Sequence, residues 1–192
     1  YFGDYIMAGT LSVQKIQGLA SSANPTTVEI ASGHVLQAPG HILQVLQSTT
    51  TDVTTISNAT FVEILSQAIT PSSSSSKILV ECSVNVGGAN NAYGWGSLFR
   101  GDTEIGIGTT GTGNQTNASF FCMSGLNSNH DYRSSLMTFK FLDSPNTTSA
   151  TTYKLKCATG SSNIYINRAE NTSDSNIIVR TMSTLTVMEI AG

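Results

Sequence analysis

The chain has 192 residues, a length that fits one domain with an extension. Charged residues make up only 11% of it, against about 25% in a typical soluble domain. A formal net charge of −3 argues against a nucleic-acid partner. No run of about 20 apolar residues occurs, so no membrane-spanning segment is predicted.

The first part of the chain is poor in apolar residues and is interrupted by turn signals. Asn24-Pro25 and Pro39-Gly40 both break the weak alternation around them. A segment of this kind cannot fold alone. We therefore expect residues 1–47 to form an extended N-terminal arm that lies on its own domain, on a neighbour or on a sister copy, and residues 48–192 to form the folded domain.

The clearest predicted strand spans residues 77–86, where apolar side chains recur at every second position. These are Ile78, Val80, Cys82, Val84 and Val86. A period of two places them all on one face, which is predicted to be the core face. A slip of one residue would expose all five, so the register is strongly specified. A serine run before the strand and Gly87-Gly88 after it mark its ends.

Eleven further segments are predicted to be strands. They are residues 41–47, 53–56, 61–69, 95–100, 104–107, 119–123, 135–142, 152–157, 163–168, 177–180 and 184–190. Segment 41–47 is apolar on both faces and is predicted to be central, whereas 61–67 also allows a helical turn. Many short strands with Gly, Ser and Asn turns indicate an all-β sandwich or jelly roll. Because several strands are apolar on both faces, a subunit interface is expected to cover the surplus.

Three cysteines, Cys82, Cys122 and Cys157, each lie on the apolar side of a predicted strand. Such thiols behave as small buried hydrophobes, and no basic residue or helix terminus flanks them to make them nucleophilic. We expect buried free thiols and maturation in a reducing cytosol, with a disulfide as the alternative.

Two short motifs have structural explanations. Residues 106–111, Gly-Ile-Gly-Thr-Thr-Gly, match a dinucleotide fingerprint, but Thr112-Gly-Asn-Gln-Thr-Asn117 is unsuited to the helix that this motif needs. A loop is predicted. Arg100-Gly101-Asp102 spells an integrin-type tripeptide, but it lies between two predicted strands and is expected to be a hairpin turn.

Catalytic and metal-binding patterns are weak. His34 and His41 have no Cys or carboxylate at ligand spacing, and no nucleophile elbow or acidic pair stands out. His130 lies beside Asp131 and near Ser134-Ser135, but closeness in sequence is not a catalytic geometry. We expect a non-enzymatic protein with no cofactor and no metal. A histidine that meets its copies on a three-fold axis and binds an ion is the alternative.

Long loops rich in Gly, Asn, Ser and Thr connect the strands and are the expected place of recognition. Tyr93 in Asn-Asn-Ala-Tyr-Gly is the better candidate for an exposed ring that stacks on a sugar, whereas Trp95 shares a face with Phe99 and is predicted to be core. The candidate receptor-contact residues are Tyr93, Asn91, Asn114, His130 and Tyr132.

Three C-terminal segments carry a family resemblance. They are Leu142-Asp-Ser-Pro-Asn-Thr-Thr-Ser-Ala-Thr-Thr-Tyr-Lys154, Tyr165-Ile-Asn-Arg168 and Ser183-Thr-Leu-Thr-Val-Met-Glu-Ile190. Together with residues 9–19, 32–34, 69–80 and 99–106, they resemble the distal domains of tailed-bacteriophage tail-fibre and virion surface proteins. The match covers most of the chain, and its motifs are structural rather than chemical.

The resemblance implies a jelly roll similar to C1q and tumour-necrosis-factor domains, working as a homotrimer. The implied role is a non-enzymatic virion protein, assembled in the host bacterial cytoplasm and displayed on the particle as a tail-fibre, receptor-binding subunit. Residues 1–47 would contact other virion proteins, and the loops a host surface glycan or protein. Because the chain shows no stalk or tail-attachment domain, a capsid decoration (cement) or head-fibre protein is the alternative, and a free glycan-binding lectin the second.

Overall fold

The computed structural model describes residues 38–109, 113–123 and 132–192, all within a compact unit that begins at Gln37. These residues form eleven strands and their connecting loops. The strands are β1 (Ile42–Thr50), β2 (Thr54–Ile56), β3 (Val62–Ile69), β4 (Lys77–Gly88), β5 (Tyr93–Arg100), β6 (Thr103–Ile105), β7 (Phe120–Met123), β8 (Ser134–Asp143), β9 (Thr151–Ser161), β10 (Ile164–Ile166) and β11 (Ser183–Ile190). Residues 1–37, most of the predicted arm, lie outside the described residues.

Two antiparallel sheets form a sandwich. Sheet A contains β1, β11, β4 and β8 in that order, with β10 and β2 continuing along the edge of β4 that β11 occupies. Sheet B runs β3–β9–β5, with β6 and β7 sharing the far edge of β5. With β6 and β7 counted as one edge position, the strands β1, β3, β4, β5, β6/β7, β8, β9 and β11 lie in sheets A, B, A, B, B, A, B and A. This chain order gives two four-stranded sheets, β1–β11–β4–β8 and β3–β9–β5–β6/β7, which is the topology of a jelly roll. The expected all-β jelly-roll sandwich is therefore confirmed.

The core lies between the sheets and is centred on β4, as its alternation predicts. Ile78, Val80 and Val84 are fully buried, and they face Leu98 and Leu155 of sheet B within one cluster. β4 pairs with β8 over ten consecutive residues on one edge and with β11 on the other. Because both edges are paired, slipping its register would break two ladders as well as expose the core set.

Three expectations about strands need correction. Segment 41–47 is not central: within residues 38–109, 113–123 and 132–192, β1 pairs with β11 alone and lies at the edge of sheet A. Segment 61–67 lies on strand β3 rather than in a helical turn; a β-bulge between Glu63 and Leu65 breaks the period of two. Residues 177–180 form no strand, only an isolated bridge between Arg180 and Arg168.

A charged cluster closes one end of the sandwich beside the β5–β6 hairpin. The Arg100 guanidinium donates to both carboxylate oxygens of Asp143 at 2.9 Å, and the buried Tyr153 hydroxyl donates to the same carboxylate at 2.7 Å. The predicted hairpin turn at residues 100–102 is confirmed, with Gly101 at φ +60°. The Arg100 guanidinium is therefore held against Asp143 beside the turn.

Candidate functional site

A groove of about 500 Å³ lies at the end of sheet B where β5 and β7 begin their pairing. Its volume falls in the range of about 300–1,000 Å³ that small-molecule sites occupy. Tyr93 and Trp95 of β5 and Phe121 of β7 supply its aromatic side, and Gln115, Thr116 and Asn117 supply polar groups.

The pleat of β5 places the rings on the outer face of sheet B. Leu98 is fully buried in the core. Trp95 lies three residues before it, and because successive side chains of a strand alternate between faces, Trp95 points to the opposite face. Phe121 is paired directly with Trp95 across the β5–β7 ladder and shares that face. Phe121 is 57% exposed and Tyr93 45%. The prediction that Trp95 belongs to the core is therefore wrong.

The reason is that glycines, Gly94 and Gly96, occupy two of the inward positions of β5. A Cβ at Gly94 would lie 2.8 Å from the Ile164 side chain, and a Cβ at Gly96 would lie 2.1 Å from the Phe120 ring. Neighbouring side chains thus fill the space that β5 leaves free. Because glycine has no side chain, these inward positions of β5 do not register as apolar in the sequence. The alternation of apolar residues in β5 therefore predicts the face of Trp95 as the core face, although it is the outer face.

A β-bulge in β9 sets the position of the Tyr93 ring. The register of the β5–β9 ladder shifts between Tyr93 and Gly94, and Gly160 is the additional residue. A Cβ there would lie 2.5 Å from the Tyr93 ring and 3.2 Å from the Trp95 ring. Both rings therefore lie against bare backbone. The buried Thr159 hydroxyl, 2.8 Å from the Tyr93 carbonyl oxygen, fixes the bulge.

The polar side of the groove belongs to the segment that leads into β7. The Gly108 N–H donates to the Ala118 carbonyl at 3.2 Å, and the Ser119 N–H donates to the Gly96 carbonyl at 3.0 Å. These bonds hold the segment beside β5. Among the described residues that line the groove, none carries a charge. The Trp95 indole N–H is buried and has no hydrogen-bond partner among the described residues.

The five predicted contact residues fall in different places. Tyr93 lines the groove; Asn91 lies two residues before it in an exposed turn at φ +60°. Asn114 is exposed next to the polar lining segment, whereas Tyr132 is 43% exposed just before β8 and does not line the groove. His130 lies outside the described residues. Their role as receptor contacts stays a prediction.

The other partners of Tyr93 were missed by sequence reasoning. Phe121 and residues 115–117 are more than 20 positions away along the chain, and only the β5–β7 ladder brings them together. One signal for Trp95 was present, since Trp95 and Leu98 lie on opposite faces of an alternating strand.

A second surface is the outer face of sheet A. Four directly paired side chains, Val45, Met188, Leu79 and Leu142, form a continuous apolar row across β1, β11, β4 and β8. We call it the sheet A row. Val45 is 56% exposed and Leu142 48%, so the ends of the row face solvent in the single chain.

The described residues offer little reactive chemistry. Cys82, Cys122 and Cys157 are free and buried, as predicted, and burial raises the pKa of Cys82 and Cys122 to about 12. No group of three or more metal-ligating side chains was found within residues 38–109, 113–123 and 132–192, and no helix there could cross a bilayer. Gly106 and Gly108 lie in a loop after β6, without a helix at residues 113–118.

No protein-family model and no curated protein matches the chain. Among solved structures, infectious bursal disease virus of the Gt strain matches 86% of this chain and 42% of that chain, at 12% identity and a TM-score of 0.42. The VP2 subviral particle of that virus matches over the same shares, at 12% identity and a TM-score of 0.41. This chain therefore spans under half the length of those chains, and a likeness this distant carries no argument about function.

Proposed function

We propose that this chain is a non-enzymatic structural protein of a virus, displayed on the virion as a homotrimer. The observation that carries the proposal is the sheet A row: an uninterrupted band of apolar side chains across four strands of the outer face of sheet A. Exposed apolar bands of this kind mark interaction surfaces. Sister copies are the proposed cover.

Two pairs of polar side chains beside the sheet A row bond to each other within the same face, which favours burial against another subunit. Lys140 donates to Glu81 at 2.6 Å, and the Gln47 amide donates to the Thr186 hydroxyl at 2.7 Å. Pairing lowers the cost of covering these groups, because an unpaired buried charge is the main obstacle to burying a polar surface. Lys77, the first residue of β4, is exposed on the same face and has no ion pair among the described residues, so the proposed interface leaves it at the rim.

The finer role that we propose is a bacteriophage tail-fibre subunit that binds the host receptor. Its support is the resemblance of residues 142–154, 165–168 and 183–190 to phage virion surface proteins, together with the jelly roll that this resemblance implied. The proposed anchor to other virion proteins is the N-terminal arm. Its last residues, 42–47, pair with β11 in sheet A. A truncation that tests anchoring should therefore stop before β1.

Assembly is tested by light scattering on the purified chain. The proposal predicts a mass three times the 20.2 kDa of one chain. Leu142→Asp should give folded monomers, because three carboxylates would enter the interface. Phe121→Asp is the matched control, since Phe121 is as exposed but lies on the opposite sheet. A monomeric wild type, or a trimer that tolerates Leu142→Asp, would contradict the proposal.

The position on the particle is tested separately. Removing residues 1–37 should abolish attachment to particles and leave the trimer intact. Electron microscopy of labelled particles then separates a tail-fibre subunit from a capsid decoration or head-fibre protein by the site of the label. Absence of the protein from purified particles would overturn the virion role.

The aromatic groove favours a free glycan-binding lectin as the second candidate. Sugar binding by a protein that never associates with particles would support it over the virion role.

A further inference from the structure

We propose that the groove of Tyr93, Trp95 and Phe121 binds an uncharged sugar unit of a glycan, with the rings stacking on its C–H face. This inference rests on the proposed function, because it names the ligand class that a displayed protein would recognise. Of the predicted contact residues it keeps Tyr93, and it adds Trp95 and Phe121 on strands β5 and β7.

The arrangement of the rings supports stacking. Trp95 and Phe121 lie directly opposite each other on neighbouring strands, and Tyr93 lies on the same face of the sheet. In pairs of this kind the two Cβ atoms are about 4.5–5.5 Å apart. The ring faces carry partial negative charge, which attracts the C–H groups of a pyranose. Tyr93 and Phe121 are about half exposed, so the rings remain available to a ligand.

The polar lining matches sugar hydroxyls. Gln115 and Asn117 each offer an amide that donates and accepts, and Thr116 offers a hydroxyl that does both. Sugar hydroxyls have the same dual character. This set can therefore pair with a sugar from the side while the rings contact its apolar face.

The absence of charge among the described lining residues selects the class of sugar. Sialic and uronic acids carry carboxylates, which proteins usually bind with Arg or Lys. A nucleic-acid base could stack on the same rings, but its phosphates would find no cation in this part of the groove. Neutral hexoses and their N-acetylated or deoxy forms are thus the ligands that fit.

The groove is also preorganised, which reduces the cost of binding. Trp95 and Tyr93 lie on β5, which is paired on both edges. Because Gly160 has no side chain, both rings pack directly on the backbone of β9. Adding a side chain at Gly160 would move the rings without removing them. This gives a second way to disturb the site.

The test uses the full-length protein and its own fluorescence. Trp95 is the only tryptophan in the chain, so tryptophan emission reports on the groove alone. The protein is first screened on an array of neutral and anionic oligosaccharides, and neutral hits are titrated by emission and by calorimetry. We expect binding confined to neutral glycans and a change in Trp95 emission on saturation.

Variants then locate the site. Tyr93→Ala and Phe121→Ala should each weaken binding by about tenfold or more, as removal of a central aromatic contact does. Gly160→Val should weaken it while both rings are retained. The matched control is Ile177→Ala, because Ile177 is as exposed as Phe121 but does not line the groove. Its affinity should equal that of the wild type.

Several results would overturn the inference. They are the absence of any glycan hit, equal binding of anionic sugars, affinity unchanged in Phe121→Ala, and a groove occupied by a peptide or a second copy. Leu142→Asp separates this inference from the proposed function. If that variant is monomeric and still binds sugar, both stand; if the wild type is trimeric without binding sugar, only the groove inference fails.

Discussion

The carboxylate of Glu189 on β11 should make the stability of this protein strongly dependent on acid. The side chain is 1% exposed and accepts three hydrogen bonds. The Ser72 N–H and hydroxyl donate to one oxygen at 2.7 and 2.6 Å, and the Gln44 amide donates to the other at 2.6 Å. These bonds join β1, β11 and the loop after β3.

The size of the effect follows from the pKa of Glu189. Burial acts to raise this pKa, but the hydrogen bonds from Ser72 and Gln44 outweigh it and lower the pKa from an ordinary 4.5 to about 2. At about 1.4 kcal/mol per unit, the ionised carboxylate contributes about 3 kcal/mol to the free energy of unfolding. Because the pKa is lower in the folded state, this contribution is complete above pH 4.5 and is lost as the pH falls toward 2.

The assay is urea unfolding of wild type and Glu189→Gln at pH 7 and pH 2.5, followed by Trp95 emission at one protein concentration. The variant should be less stable by about 3 kcal/mol at pH 7, with most of the difference gone at pH 2.5. Glu63→Gln is the control, because its half-exposed pair with Lys154 at 3.7 Å is worth about 0–1 kcal/mol. A difference between wild type and Glu189→Gln that is equal at both pH values would refute the reasoning.

Three further changes test the fold. Val84→Asp should abolish soluble trimer, since an unpaired carboxylate would enter a fully buried position; expression and far-ultraviolet circular dichroism report this. Tyr153→Phe should lower the free energy of unfolding by about 1.5–3 kcal/mol, because it removes the 2.7 Å hydrogen bond to the Asp143 carboxylate. Gly96→Ala should cost about 1–3 kcal/mol in urea unfolding, because the new methyl group would overlap the Phe120 ring.

Each of these changes has a control and an opposing outcome. Ser83→Asp is the control for Val84→Asp, because Ser83 lies on the other face of β4, and this variant should still fold. Normal folding of Val84→Asp would contradict the assignment of Val84 to the core face. Gly108→Ala meets no atom within 4 Å and should be nearly neutral. Equal stability of Gly96→Ala and Gly108→Ala would mean that Phe120 does not pack on β5. A neutral Tyr153→Phe would show that Arg100 alone satisfies Asp143.

The sequence by itself determined the fold class and the centre of the core. The alternation in β4 predicts the buried set from Ile78 to Val86, because a strand with one dry face needs an apolar residue at every second position. The hairpin at residues 100–102 follows equally from a glycine between two strands. Such features depend on neighbours in the chain.

Tertiary structure alone decided the candidate site. The inward face of β5 carries Gly94 and Gly96, whose space is filled by Ile164 and Phe120 from other strands, and no local pattern reveals this. Glu189 is buried although it is acidic, because Ser72, 117 residues away, supplies its hydrogen bonds. Strand pairing sets these contacts, because it brings distant segments of the chain together. It thereby determines which side chains are buried in the core, which are hydrogen-bonded and which remain exposed to solvent.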